Sequence, residues 1–323
     1  MQTFLKGVSD LVKVYEVTGI GKQRTRMQRS AGQGFSKFVG RSRELGSLRY
    51  AADQAQSGRG QVVAIVADAG TGKSRLIFEF MADIRSTSMV LETFSVSHGK
   101  TSYCLPLIEL LHVYMGIETQ DDAHTRRQKV TEKIESLDPE LNDVLPYLLG
   151  LLSLNGTDDP LLQMDDRTRE LRTWDGIKRV LLRESINQPV TLIFEDLHWI
   201  DDQTQEFLNL LADTIGTARI LLIVNYRPEY VHRWGSKSYF TQVRLDPLGG
   251  ATAKEMLAAM LGESEQLADL KNLIIEKSTG TPFFMEEMVK ALFDDGTLAR
   301  DGKIILTKKL NELGKLCTTP ATA

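Results

Sequence analysis

The stretch Val62-Val63-Ala64-Ile65-Val66-Ala67-Asp68-Ala69-Gly70-Thr71-Gly72-Lys73-Ser74 constrains the fold more than any other in the chain. An apolar run of strand character ends in a glycine-bearing loop. Lys73-Ser74 follows, then Arg75-Leu76-Ile77-Phe78-Glu79-Phe80, which reads as a helix. Strand, tight loop and helix N-terminus form the context in which backbone N–H groups converge on phosphate oxygens. The helix start adds unpaired donors and a partial positive charge. On this reading Gly70, Thr71, Gly72 and Arg75 belong to a phosphate-binding loop and its helix. Lys73 reaches the β- and γ-phosphates, and the Ser74 hydroxyl holds Mg²⁺. The pattern G-x-x-x-x-G-K-[ST] asks for glycine where this chain has Ala67. A methyl is accepted there only if the backbone angle suits an L-residue.

Composition narrows the setting. A chain of 323 residues has room for about two domains. Its 42% apolar and 25% charged residues are those of a soluble globular protein. A net charge of −4 supplies no chain-wide basic field for nucleic acid. Two cysteines, Cys104 and Cys317, make no disulfide framework, so a reduced, cytoplasmic setting is the simplest expectation. The five histidines show no metal-ligand spacing with cysteine or with one another. No apolar run approaches the ~20 residues of a membrane span. The start, Met1 to Gly7, lacks the long apolar stretch of a signal peptide.

Along the chain, Leu11 to Val17 alternates and predicts a single strand, too little for a core of its own. Residues 19–37 carry Lys22, Arg24, Arg26, Arg29 and Lys37 with no acid, among several glycines. They read as a flexible basic linker, with a nucleic-acid or anionic-lipid contact as the alternative. Phe38-Val39-Gly40-Arg41 opens the compact part, and Glu44 to Gln56 shows helical spacing. Met89 to Val96 predicts a second strand, and residues 105–185 are mostly helical and leucine-rich, a pattern of core rather than chemistry. Asp121-Asp122 and Asp158-Asp159-Pro160 mark breaks in it. Val190 to Phe194 and Ile220 to Val224 are continuous apolar strands with polar C-terminal ends. Such strands between helices imply an α/β fold, a parallel sheet covered on both faces. Residues 251–261, 265–278 and 282–293 predict a small all-helical domain, and 296–306 a short hairpin.

In parallel sheets ligands bind beyond the carboxyl ends of the strands. Gly70–Lys73, Glu195-Asp196 and Asn225–Arg227 all stand at such ends and converge on one crevice. Paired acids after a phosphate loop suit a magnesium–nucleotide site: one holds the metal's hydration shell, the other orients or deprotonates the attacking water. Strand periodicity places Glu195 at the metal and Asp196 at the water, without settling the assignment, and Asp201 is a third candidate. Asp201-Asp202 also reads as the cap of the next helix. Arg227 either meets the γ-phosphate or pairs with Glu229 or Asp196. Trp199 reads as packing rather than base stacking.

Assembled, these residues resemble a family. Phe38-Val39-Gly40-Arg41, the loop ending in Lys73-Ser74-Arg75-Leu76, Glu195-Asp196-Leu197-His198-Trp199-Ile200-Asp201, Tyr226-Arg227-Pro228-Glu229 and Gly280-Thr281-Pro282-Phe283-Phe284-Met285-Glu286-Glu287 follow a shared order. They resemble the signal-transducing ATPases with numerous domains (STAND), AAA-related P-loop ATPases of the kind fused to class III adenylate/guanylate cyclases. The resemblance runs from residue 38 to about 300. It implies a nucleotide domain over 38–247 (with the helical insertion at about 105–185), a helical lid over 248–300, and in 301–323 a stub of a winged-helix domain. It also implies that Pro282 contacts the base from the lid, that Phe38 to Arg41 (Val39 and Arg41 as the site residues) lie near adenine and ribose, and that Arg227 matches the family's arginine after the fourth core strand. Residues 5–17 resemble the last strand of a cyclase catalytic domain, which makes residues 1–18 a remnant without cyclase activity. The chain then reads as the ATPase middle of a cyclase-linked regulator, truncated at both ends. It is expected to bind ATP or ADP with Mg²⁺, to switch with slow hydrolysis, and to engage a cyclase domain or helical repeats. The alternative is a non-hydrolysing protein- or nucleic-acid-binding module with a degenerate nucleotide site.

Overall fold

The computed structural model describes residues 2–3, 12–13, 36–95, 103–156, 160–301 and 303–307. The chain divides into two compact units, Met1–Lys37 and Phe38–Ala323. In the first, β1 (Gln2–Thr3) pairs antiparallel with β2 (Val12–Lys13). The predicted strand over 11–17 is therefore half of a pair. The partner at 2–3 is too short to leave a periodic signal. The remainder of the predicted strand, the basic linker up to residue 35 and the tail from 308 lie outside the described residues.

The second unit is built on five parallel strands: β3 (Gln61–Val66), β4 (Met89–Phe94), β5 (Val190–Glu195), β6 (Ile220–Tyr226) and β7 (Phe240–Arg244). Their order across the sheet is β4-β5-β6-β3-β7. The loop strand β3 and the acid-bearing strand β5 are thus separated by β6. Register brings their C-terminal ends to one edge: Val66 is opposite Tyr226, and Phe194 is opposite Val224. Side chains alternate across the sheet. Val62, Ala64 and Val66 face one core with Leu192, Phe194, Leu222 and Val224. Val63 and Ile65 face the other with Ile193, Leu221 and Ile223. Both faces are buried, which is why these strands read as unbroken apolar runs.

Helices α1 (Ser42–Gln56) and α2 (Lys73–Ile84) cover the second face, through Leu48, Ala51, Ala52 and Ala55 on one and Leu76, Ile77, Phe80 and Met81 on the other. The first face is covered by the helical insertion between β4 and β5: α3 (Leu105–Tyr114), α4 (Ala123–Leu137), α5 (Leu145–Leu151) and α6 (Asp166–Asn187). Helix α7 (Asp202–Thr214) packs on the same side. Aspartates start three of these helices. Asp122, Asp165 and Asp201 accept the N–H groups of Thr125, Thr168 and Thr204 at 2.8, 2.9 and 2.9 Å. The break expected at Asp121-Asp122 is the cap of α4, while 158–159 lie outside the described residues.

Strand β7 has no counterpart in the sequence reading. Only Val243 of Phe240-Thr241-Gln242-Val243-Arg244 is buried, as befits an edge strand paired on one side to β3. A strand with one buried side chain carries no apolar run to detect.

The C-terminal part holds α8 (Gly250–Leu261), α9 (Ala268–Ser278) and α10 (Pro282–Asp294), then the hairpin β8 (Leu298–Asp301) and β9 (Lys303–Leu306). Its core joins Ala253, Leu257, Leu270, Ile274, Met285 and Val289 to Leu298, with Ile304 and Leu306 packed against it. No helix among the described residues is long and apolar enough to cross a membrane.

Candidate functional site

The loop after β3 turns through two glycines. Gly70 has φ 78° and Gly72 φ 105°, the left-handed region that L side chains avoid. Ala67 is not among the residues with positive φ, so its methyl costs no strain. It extends the strand instead: its N–H donates to the Tyr226 carbonyl at 3.3 Å. Lys73, the first residue of α2, is 8% exposed and donates Nζ to the carbonyls of Ala67 at 2.8 Å and Asp68 at 3.2 Å. Burial lowers its pKa, a trend opposed by the carboxylates of Asp196, Asp68 and Glu195. Thr71 tightens the turn with Oγ1 donated to the Asp68 carbonyl at 3.0 Å.

Across the crevice, Glu195 ends β5 at 3% exposure. The Ser74 hydroxyl donates to its Oε2, and Asn225 Nδ2 donates to the same oxygen at 2.7 Å. Asn225 Oδ1 accepts the Asp196 N–H at 2.8 Å. One amide on the intervening strand β6 thus holds both members of the acid pair. Asp196 sits at φ 60°, a conformation uncommon outside glycine, and Asn225 is the clamp that keeps it there.

Burial pushes the Glu195 carboxyl up to about 7, aided by the nearby charges of Glu92 and Asp196 and resisted by the Ser74 and Asn225 hydrogen bonds. Glu92, in the middle of β4, is hydrogen-bonded to Glu195, and burial raises its pKa against the pull of Arg85. The sequence reading missed Glu92. Its one signal was an acid interrupting Met89-Val90-Leu91 and Thr93-Phe94.

Asp201 does not join this group. Its carboxylate receives the Thr204 N–H and hydroxyl (2.9 and 2.7 Å) and the Cys104 N–H (3.3 Å), so its oxygens are committed to capping α7. Among the described residues Arg227 forms no ion pair with Glu229 or Asp196, and its Nε is buried without a partner. The Trp199 ring packs on His198, with centroids 5.2 Å apart.

The C-terminal helices reach the loop directly. The Phe283 N–H donates to the Gly70 carbonyl at 3.2 Å. A Cβ on Gly70 would stand 2.8 Å from the Phe283 Cβ. Pro282 begins α10, where its missing N–H leaves no intrahelical bond unmade, and it sits one residue from that contact. Val39 is buried in the C-terminal helical core. Arg41, 8% exposed, donates to the carbonyls of Asp246 (2.6 Å) and Thr71 (3.3 Å) and to Glu44 (3.2 Å). Its guanidinium therefore braces the loop from behind. Arg75 is bonded to Glu79 at 2.7 Å and lies over the Phe38 ring at 5.7 Å, along the helix face.

Mg²⁺ suits this donor set. It takes hard oxygens from one or two carboxylates and completes its shell with phosphates and water. Ser74 Oγ and Glu195 Oε2, already within hydrogen-bond contact, are such a pair. Among the described residues no group of three or more His, Cys, Asp or Glu forms a metal cage.

A glycine-turned loop on an interior parallel strand, a lysine and a hydroxyl at the helix start, and a carboxylate beyond one intervening strand define the P-loop nucleotide-site class. The chain belongs to the AAA ATPase domain family, whose profile matches residues 37–224, more than half of its length. An uncharacterized protein of Rhizobium meliloti (strain 1021) is 28% identical over 294 residues, covering 88% of this chain and 28% of that protein. The chain thus spans just over a quarter of the length of this relative. Among solved structures, a STAND protein with a tetratricopeptide repeat sensor from Pyrococcus horikoshii is 17% identical, with TM-score 0.45, over 87% of this chain and 33% of that one. Cdc6p from Pyrobaculum aerophilum is 13% identical, with TM-score 0.49, over 80% and 64%. Drosophila ORC bound to DNA is 11% identical, with TM-score 0.48, over 96% and 71%.

Proposed function

We propose that this chain is the ATP-binding module of a nucleotide-dependent switch, with slow ATP hydrolysis, in a longer signalling protein. The observation that carries the reading is the backbone bond from Phe283 to Gly70. Through it the phosphate loop and the C-terminal helical lid share a hydrogen bond, so whatever shifts the loop is felt by the lid. A ligand drives such a switch only through its different affinity for the two arrangements. Lys73 and the loop N–H groups would hold the phosphates, and Ser74 with Glu195 would hold Mg²⁺. Bound there, the metal would supply neutralisation of phosphate charge. Asp196 would orient the attacking water, and Arg227 would meet the γ-phosphate. Val39, Arg41 and Pro282 frame the end of the site nearest the lid, Arg41 by bracing Thr71.

The relative spanned to 28% of its length supports a module within a larger protein. A cyclase domain upstream and helical repeats downstream are the partners we propose, on the resemblance of residues 5–17 and of the lid motif. The chain itself would make no cyclic nucleotide. The ordinary backbone at Ala67 supports a working loop over a degenerate one.

Calorimetric titration with MgATP and MgADP tests this. Binding to the wild type and its loss in Lys73→Ala is the expected result. Binding of neither nucleotide to the wild type would overturn the reading.

A further inference from the structure

Unassigned chemistry lies just beyond the acid pair. His198 belongs to the short 3₁₀ turn Leu197–Trp199. The turn is pinned by Trp199 N–H to the Asp196 carbonyl (2.9 Å) and Ile200 N–H to the Leu197 carbonyl (3.1 Å). The ring is steadied by its contact with Trp199. Both His198 ring nitrogens are buried with no hydrogen-bond partner, as is Arg227 Nε. Buried polar atoms are nearly always satisfied in a working structure. Among the described residues six buried side-chain polar atoms lack a partner, and three of them belong to these two side chains. That half of them fall on two side chains whose charges act on one another points to a ligand rather than to scattered imperfect packing.

The charged groups acting on His198 identify that ligand's chemistry. They are Asp196 from the turn after β5, Arg227 and Glu229 from the segment after β6, and Lys73 from the start of α2. Burial, with Arg227 and Lys73, lowers the imidazole's pKa and favours the neutral ring. A neutral imidazole offers one N–H and one lone pair. Within the electrostatic reach of Lys73, the residue that marks the β/γ-phosphate end of the loop, the N–H fits a phosphate oxygen. The lone pair fits the O–H of a water lodged against that phosphate. A diphosphate lacks the group that would satisfy them.

We infer that His198 contacts the terminal phosphate of a bound nucleoside triphosphate, beside Arg227, and gives the site its preference for triphosphate over diphosphate. This rests on the nucleotide reading above. His198 was passed over in the sequence because it stands between the acid pair and a packing tryptophan, with no spacing of its own.

The test is calorimetric titration of the full chain with magnesium complexes of ADP and of the non-hydrolysable β,γ-imido analogue of ATP. The proteins are the wild type, His198→Phe and His198→Gln. Phenylalanine keeps a ring against Trp199 and removes both nitrogens, and glutamine restores a donor. His198→Phe is expected to bind the triphosphate analogue roughly tenfold or more weakly, as for a lost hydrogen bond to a charged group. ADP affinity should stay within about twofold, a shift too small to reflect such a bond. His198→Gln should recover part of the loss. Where phenylalanine is not accommodated, as thermal melting would reveal, His198→Ala is read in the same way. Equal weakening of both nucleotides, or no change in either, overturns the inference while leaving the nucleotide reading intact. A wild type that binds neither overturns both.

Discussion

Glu195 is an acid at odds with its surroundings. Its ordinary value of 4.5 is raised to about 7, chiefly by burial. Between those two values the folded chain holds a proton that the unfolded chain has released. Stability therefore falls as pH rises through this window, and the penalty is complete above it. At about 1.36 kcal/mol per unit, the full effect is on the order of 3 kcal/mol. In the absence of nucleotide, the wild type's urea midpoint should decline from pH 5 to pH 8. Glu195→Gln, which is neutral throughout and still accepts from Ser74 and Asn225, should show a much flatter profile. A variant as pH-sensitive as the wild type would assign the effect to another group. Glu92 belongs to the same titration, because the two carboxyls are hydrogen-bonded and the loss of a proton from one raises the cost of losing it from the other.

At the scale of elements, two glycines shape the C-terminal helices: Gly280 the turn that leads into α10, Gly70 the contact of α10 with the loop. Gly280 has φ 75°, and a Cβ there would stand 2.4 Å from the Leu248 carbonyl oxygen, a backbone atom that cannot swing aside. Its own carbonyl accepts the Leu248 N–H at 2.8 Å. Gly280→Ala should cost roughly 1–3 kcal/mol of stability, read by chemical denaturation, through backbone strain and displacement of the segment leading into α8. Gly70→Ala strains the loop and meets the Phe283 Cβ at 2.8 Å. It should push the start of α10 away. Hydrogen exchange at the Phe283 amide should then speed up while the sheet amides stay protected. Unchanged protection at Phe283 would show that the loop and α10 are not coupled through this bond. The same contacts explain why the motif Gly280-Thr281-Pro282 is built as it is: a left-handed turn, then a proline where a helix needs no N–H.

For the whole molecule, the switch reading makes a measurable demand. MgATP at a hundred times its dissociation constant should add about 2.7 kcal/mol to stability, visible as a raised melting temperature that Lys73→Ala does not show. Saturating MgATP and MgADP should also give different small-angle scattering profiles. Identical profiles would sink the switch, because a ligand pair with no differential effect on shape cannot signal through it.

Local pattern alone determined a good deal of this protein. The strand–loop–helix of residues 61–84, the unbroken apolar runs of β5 and β6 and the polar residues at their ends are contiguous in sequence, and periodicity reads contiguous structure. The convergence of Gly70–Lys73, Glu195-Asp196 and Asn225–Arg227 followed from the rule for parallel sheets. Only the tertiary structure decided the order β4-β5-β6-β3-β7, and with it that Asn225 stands between the loop and the acids. It alone paired Glu92 with Glu195, turned Arg41 onto the Thr71 carbonyl and set Phe283 on Gly70. It added β7, whose one buried side chain leaves no run to see. These are meetings between residues distant along the chain, or an edge held by a single neighbour, whereas the Asp201 cap is local and was legible in the sequence. A window of sequence records which side chains want burial, whereas the partner each one meets is set by the packing of elements that the window does not contain.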